Sequence, residues 1–192
     1  EKKYKVCFSG DEIILVFHPV TTEIEKTQYD ITNLLNSVSK FKREVIAIAP
    51  NSDAGGQIIF NTLQEYSKNH CFFQLYKSIP RKDYLGMLKY GGMLIGNSSS
   101  GMIEASYFPI NVINVGIRQK DRERGSNVID VSSDSSNLIY KIIMSFDKYQ
   151  TNKNHKLIHQ AYLEAIKSEC KFKHGAIITK GSKIICKAYN NS

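Results

Sequence analysis

The chain has 192 residues, enough for one domain with a sizeable core, or one domain plus a fragment. Its 42% apolar and 23% charged residues give a globular composition, and no apolar run reaches the roughly 20 residues that cross a bilayer. The formal charge of +8 has no dense basic run behind it, which argues against nucleic acid and leaves a lysine-rich solvated face or a site for a phosphorylated small molecule.

The opening stretch, EKKYKVCFSGDE, is polar and lacks the apolar centre of a signal peptide. It begins at Glu1 rather than Met, so a segment of a longer protein is expected. EIILVF (12–17) is predicted as a buried strand. A helix over 21–41 follows, with Ile24, Ile31, Leu34, Leu35 and Val38 near helical spacing. EVIAIAP (44–50) is the next strand, and AGGQIIFNTLQEYSKN (54–69) the next helix despite two early glycines. The strand CFFQLYKSI (71–79), a helix at 81–91 and the strand GMLIGN (92–97) continue the series. A helix over about 100–108 stops before Pro109. NVINVG (111–116) and NVIDV (127–131) are strands, and SSNLIYKIIMSF (135–146) is a helix.

Strands alternating with helices imply a parallel sheet with right-handed crossovers. Val- and Ile-rich strands without a period of two belong to sheets buried on both faces. Residues 12–147 therefore read as a doubly wound, Rossmann-like α/β domain. There is no early GxGxxG, so an ordinary dinucleotide site is not supported. The texture then changes. DKYQTNKNH (147–155) has linker character, a helix is expected at 156–169, and HGAIITKGSKIICKAYN (174–190) reads as a β-hairpin turning at Lys180, Gly181 and Ser182. The division expected is 1–150 and 151–192. Cys7, Cys71, Cys170 and Cys186 are far apart and form no CxxC. Neither a disulfide framework nor a zinc site follows, and reduced thiols in a cytoplasmic protein are the simple expectation.

The stretch GNSSSGMIEA (96–105) places three serines at the carboxyl end of a strand, where open α/β sheets bind ligands. A helix start there offers free N–H groups, serine hydroxyls add donors, and Gly101 would let a ligand approach the backbone. Glu104 would repel phosphate but could accept from a ribose. The same residues also describe a serine N-cap followed by a helix-dipole glutamate, and both readings stand on this stretch alone. His18, in HPVTTE, ends the first strand and is either structural or turned into the crevice by the adjoining Pro19. PNSDAGG (50–56) ends the second strand with turn formers and an acid. GIRQKDRERGSN (116–127) gathers Arg118, Arg122 and Arg124, a natural counter-charge for a diphosphate.

In this order and at these spacings, HPVTTE, PNSDAG, GNSSSGMIEA and GIRQKDRERGSN resemble the UDP-N-acetylglucosamine 2-epimerases, especially the hydrolysing branch that starts sialic-acid synthesis. The resemblance covers about residues 12–147. It implies two Rossmann-like domains in the GT-B arrangement with the active site between them, of which this chain resembles the second; the first is a missing partner. By position, it implies that Ser98, Ser99 and Gly101 hold the UDP phosphates and that Glu104 binds the ribose. Arg118 would line the uridine and diphosphate pocket, and backbone near Ile79 would meet the uracil. His18 would be catalytic, facing sugar and diphosphate, while Asn51 and Asp53 shape the crevice. In such a reaction UDP leaves by anti elimination and water adds to the glycal, giving N-acetylmannosamine; positive charge from Arg118 and His18 would favour the departure. The acids that move the C2 proton would lie in the first domain, so this segment is expected to bind UDP weakly and turn nothing over. A UDP-sugar substrate and a homo-oligomer are implied, with no cofactor, metal, membrane or nucleic acid. The alternatives are a GT-B glycosyltransferase, which HPVTTE fits less well, and a non-catalytic nucleotide-sugar-binding module.

Residues 155–192 resemble instead the opening helix and first hairpin of the zinc-dependent cytidine and deoxycytidylate deaminases. The HxE and PCxxC zinc motifs of that family are absent, so His174 is not read as a ligand. A divergent tail whose hairpin caps the Rossmann-like domain of residues 12–147 is the other reading.

Overall fold

The structure is a computed structural model that describes residues 4, 6, 8–41, 43–151, 175–180 and 183–189. The chain divides into two compact units, Glu1–Tyr140 and Lys141–Ser192. The first is built on six strands: β1 (Ile13–Val16), β2 (Val45–Ile48), β3 (Phe73–Tyr76), β4 (Met93–Gly96), β5 (Asn111–Val115) and β6 (Val128–Val131). All five pairings are parallel, and the sheet order is β3-β2-β1-β4-β5-β6. This is the doubly wound arrangement expected from the alternation. The strand order reverses between β1 and β4, which pair from Ile13 with Met93 to Val16 with Gly96.

Every residue of β1 and β4 is buried, as the unbroken apolar runs require for central strands covered on both faces. Three helices lie between the strands: α1 (Thr27–Val38), α2 (Gly56–Asn69) and α3 (Arg81–Tyr90). In α1, Ile31, Leu34, Leu35 and Val38 form the buried stripe, spaced three and four apart. Ile24, expected on that stripe, sits in a short 3-10 turn (Ile24–Lys26) and is exposed. Met87 and Leu88 turn the second half of α3 inward.

Two expected elements differ. The helix over 100–108 does not form: Ser99–Gly101 and Ala105–Tyr107 are separate 3-10 turns. The span between β4 and Pro109 is too short to repay helix nucleation, and its serines and glycine are weak helix formers. The Ser98 side chain also accepts from the Ser100 N–H, which holds the chain in a tight turn. The second difference is α4, which runs Ser136–Thr151 and so continues into the stretch read as a linker. Asp147–Thr151 is polar, but it contains no glycine or proline to stop a helix. The expected helix at 156–169 lies outside the described residues. In the second unit, β7 (Gly175–Lys180) and β8 (Lys183–Tyr189) pair antiparallel, Lys180 opposite Lys183, with an irregularity between Ile178 and Thr179. That is the hairpin expected from the sequence.

Candidate functional site

The carboxyl ends of β1 and β4 lie side by side, and the loops that leave them diverge. His18 stands two residues past β1 and Asn97 one residue past β4. The buried Asn97 side chain clamps the His18 backbone from both sides: its Oδ1 accepts from His18 N at 2.7 Å, and its Nδ2 donates to His18 O at 2.8 Å. Its own carbonyl accepts from Arg118 Nη1 at 3.3 Å and from Gln119 Nε2 at 2.8 Å. One asparagine thus joins the first strand end to the loop after β5.

The His18 ring is fixed from the other side. Asn51 N donates to His18 Nδ1 at 3.1 Å, so the proton of the neutral ring resides on Nε2. The Asn51 amide in turn donates to Asp53 Oδ2 at 2.5 Å. Burial, and then the Arg118 charge, push the His18 pKa down to about 4, against the smaller opposing pull of Asp53 and Asn51. His18 is therefore uncharged near neutrality. This corrects the expectation that it supplies positive charge; it offers a hydrogen bond from Nε2. Asp53 and Arg118, with Pro19, Thr21 and Thr22, line a cavity of about 260 Å³ beside it.

The arginine loop is less basic toward the crevice than its sequence suggests. Arg124 Nε pairs with Asp130 Oδ2 at 2.7 Å, and its Nη2 donates to Gln119 O at 3.0 Å. Asp130 Oδ1 also accepts from Asn114 of β5 at 2.6 Å. Arg124 therefore braces its loop on β5 and β6. Arg122 is exposed, and its carbonyl accepts from Arg124. Arg118 bonds to Asn97 at the end of β4, while Arg124, paired with Asp130, lines a cavity with Phe17, Asn97 and Val115.

The serine loop is buttressed by α3. Tyr84 and Arg81 lie three residues apart, hence on one face of the helix. Tyr84 Oη meets Ser100 Oγ at 2.6 Å, and Arg81 Nη1 pairs with Glu104 Oε1 at 3.2 Å. Ser98 and Ser99 are partly exposed, and Ser99 Oγ has no hydrogen bond among the described residues. Gly101 differs from expectation. It is buried, its N–H donates to Ser98 O, and an added Cβ would meet Val112 at 3.0 Å and Leu94 at 3.6 Å. A side chain there would press on the core at Val112. Ile79 is half-buried against the core cluster, on the loop that leads into Arg81. Its expected role rests on that neighbourhood, since no bond ties it to the serines. The residues that sequence reasoning passed over are Asn97, Arg81, Tyr84 and Ser100. Asn97 and Ser100 stood inside the quoted motif, and the spacing of Arg81 and Tyr84 was the signal for a shared face.

A six-stranded parallel sheet of this order, with polar side chains gathered at its switch point, defines a Rossmann-like α/β domain. The family model for UDP-N-acetylglucosamine 2-epimerase matches residues 2–168, and the chain belongs to that family. The "UDP-N,N'-diacetylbacillosamine 2-epimerase (hydrolyzing)" of Legionella pneumophila is 38% identical over 118 residues, covering 62% of this chain and 31% of the relative. The "Polysialic acid biosynthesis protein P7" of Escherichia coli is 40% identical over 137 residues, covering 70% of this chain and 35% of the relative. The chain thus spans about a third of the length of these curated relatives. Among solved structures, the UDP-GlcNAc 2-epimerase of Methanocaldococcus jannaschii shares the fold with a TM-score of 0.57 at 10% identity, over 74% of this chain and 40% of that one. A second structure of that enzyme, in complex with UDP-GlcNAc and UDP, superposes with a TM-score of 0.54 at 12% identity, over 71% of this chain and 38% of that one.

Proposed function

We propose that this chain is the UDP-binding half of a hydrolysing UDP-N-acetylglucosamine 2-epimerase. The observation that carries the reading is the convergence of His18, Asn51, Ser98 and Arg118 on the carboxyl ends of β1 and β4. The hydroxyls of Ser98 and Ser99 and the Arg118 guanidinium receive the diphosphate. Glu104, held through Oε1 by Arg81, presents its other oxygen to the ribose. Backbone near Ile79 meets the uracil. When UDP departs, Arg118 carries the positive charge that the leaving diphosphate requires, and His18 donates a neutral hydrogen bond from Nε2. The carboxylates that move the C2 proton belong to a first domain, and a homo-oligomer assembles the working enzyme; this segment alone turns nothing over. The Legionella relative, a hydrolysing 2-epimerase by name, supports the hydrolysing branch. Family membership sets aside the glycosyltransferase alternative. The family match ends at residue 168, which leaves the β7–β8 hairpin as the part of the tail open to the deaminase-like reading.

Calorimetric titration with UDP tests this. Glu104→Ala is expected to weaken UDP by about 1–3 kcal/mol, the scale of hydrogen bonds to a charged group, and to leave uracil alone unaffected. Arg118→Lys should not restore what Arg118→Ala loses, because a point charge lacks the planar fork. Equal UDP affinity in Glu104→Ala and wild type overturns the ribose assignment. An absence of UDP binding by wild type overturns the whole reading.

A further inference from the structure

We propose that Tyr84 is a positioning residue that fixes the direction of a hydroxyl relay, Tyr84 to Ser100 to Ser98, so that the Ser98 O–H is held as an outward donor for a phosphate oxygen. The inference rests on the diphosphate reading above and adds how that contact is oriented.

The argument is a count of donors and acceptors. A serine hydroxyl has one proton to give and two acceptor positions. Ser98 Oγ accepts from Ser100 Oγ at 3.0 Å and from the Ser100 N–H at 3.3 Å. Both of its acceptor positions are thereby filled, and it can interact further only by donating. No acceptor for that proton occurs among the described residues. Because Ser100 gives its proton to Ser98, it must receive at its other contact. The 2.6 Å bond with Tyr84, which either oxygen could donate by distance alone, therefore runs from Tyr84 to Ser100. Burial keeps the Tyr84 proton in place by pushing its pKa up to about 12. The relay is shielded: Ser100 is buried, and the Tyr84 ring packs against the core cluster that includes Met87 and Leu88. A chain of hydroxyls polarised in one direction strengthens its last donor. That donor suits an acceptor-only group such as a phosphate oxygen and disfavours a ligand group that must itself donate.

Tyr84→Phe keeps the ring and removes only the proton that sets the direction. Ser100 is then free to turn its own proton elsewhere, and Ser98 is free to rotate inward. Calorimetric titrations of the full chain with UDP and with uridine read the consequence. Tyr84→Phe is expected to raise the UDP Kd roughly three- to tenfold, the size of one net hydrogen bond, and to leave the uridine Kd unchanged. Ser100→Ala should cause a loss of similar size, and the double variant should bind UDP no more weakly than Ser100→Ala alone, since the two residues act as one unit. Equal weakening of UDP and uridine would mark a general loosening of the loop and overturn the proposal, as would fully additive losses. If wild type binds UDP and Tyr84→Phe binds it equally well, the relay is wrong while the UDP-binding reading stands. If wild type binds no UDP, that reading fails and the relay falls with it.

Discussion

His18 shows how far a single residue is determined by its neighbours. From the sequence it was a histidine beside a proline, equally a structural ring or a cation. In the fold its Nδ1 is occupied by the Asn51 N–H and its backbone by the Asn97 side chain. Burial penalises a charged ring, and protonation would also set a positive charge beside Arg118, so the pKa falls from 6.5 to about 4. The sign of the linkage follows. Between these two values the unfolded chain binds the proton and the folded chain does not. His18 therefore contributes stability that is complete above about pH 6.5 and lost as the pH drops through about 4. In an NMR titration the His18 ring should stay neutral at pH 6, and His18→Gln should flatten the fall in melting temperature between pH 6.5 and 4. A His18 resonance titrating near 6.5 would mean the ring is not held as described. None of this was legible in HPVTTE. It depends on an amide 33 residues away and a side chain 79 residues away.

At the scale of elements, strands were the most legible feature, because a strand buried on both faces must be an apolar run whatever its neighbours are. EIILVF, EVIAIAP and GMLIGN each contain the observed strand, trimmed by one or two residues at the ends. The short 3-10 turns after β4 were not legible, since the three serines fit a helix cap and a turn equally well until Ser98 is seen capping its own turn. The candidate site divides the same way. His18, Ser98 and Arg118 are legible as candidates because strand ends are where such folds place polar chemistry. Tyr84 and Arg81 were missed because only packing reveals which face of α3 meets the serine loop. Two glycines test the packing directly. Gly96, the last residue of β4, has φ +141, and an added Cβ would run into the Val16 carbonyl oxygen of β1. Gly96→Ala should cost about 1–3 kcal/mol or more in urea denaturation. Gly86, inside α3, has nothing within 4 Å of its Cβ position, so Gly86→Ala should stabilise by about 0.4–1 kcal/mol. The reverse order would mean that β4 does not leave the sheet as described.

For the molecule as a whole, the crevice and the sheet are one construction, since the residues that clamp His18 also hold β1 beside β4. That pairing is the most distant in sequence of the five in the sheet. His18 and Asn97 stand 79 residues apart, whereas every other pair of neighbouring strands is joined by a single short crossover. Closing the longest loop carries the largest entropic cost and is favoured only once the local β-α-β units exist. The two halves of the sheet, β1 to β3 and β4 to β6, should therefore form before they dock, and the ligand crevice is the seam that closes last. A variant at the seam then acts after the folding transition state. Asn97→Ala should accelerate unfolding in stopped-flow measurements and leave the refolding rate nearly unchanged, and saturating UDP should slow unfolding without hastening refolding. A slower refolding arm for Asn97→Ala would place the seam in the nucleus instead. The position of the candidate site at the switch point thus has a temporal meaning: the crevice is expected to be complete only in the last step of becoming a sheet, and UDP bound there would act as a latch on that step.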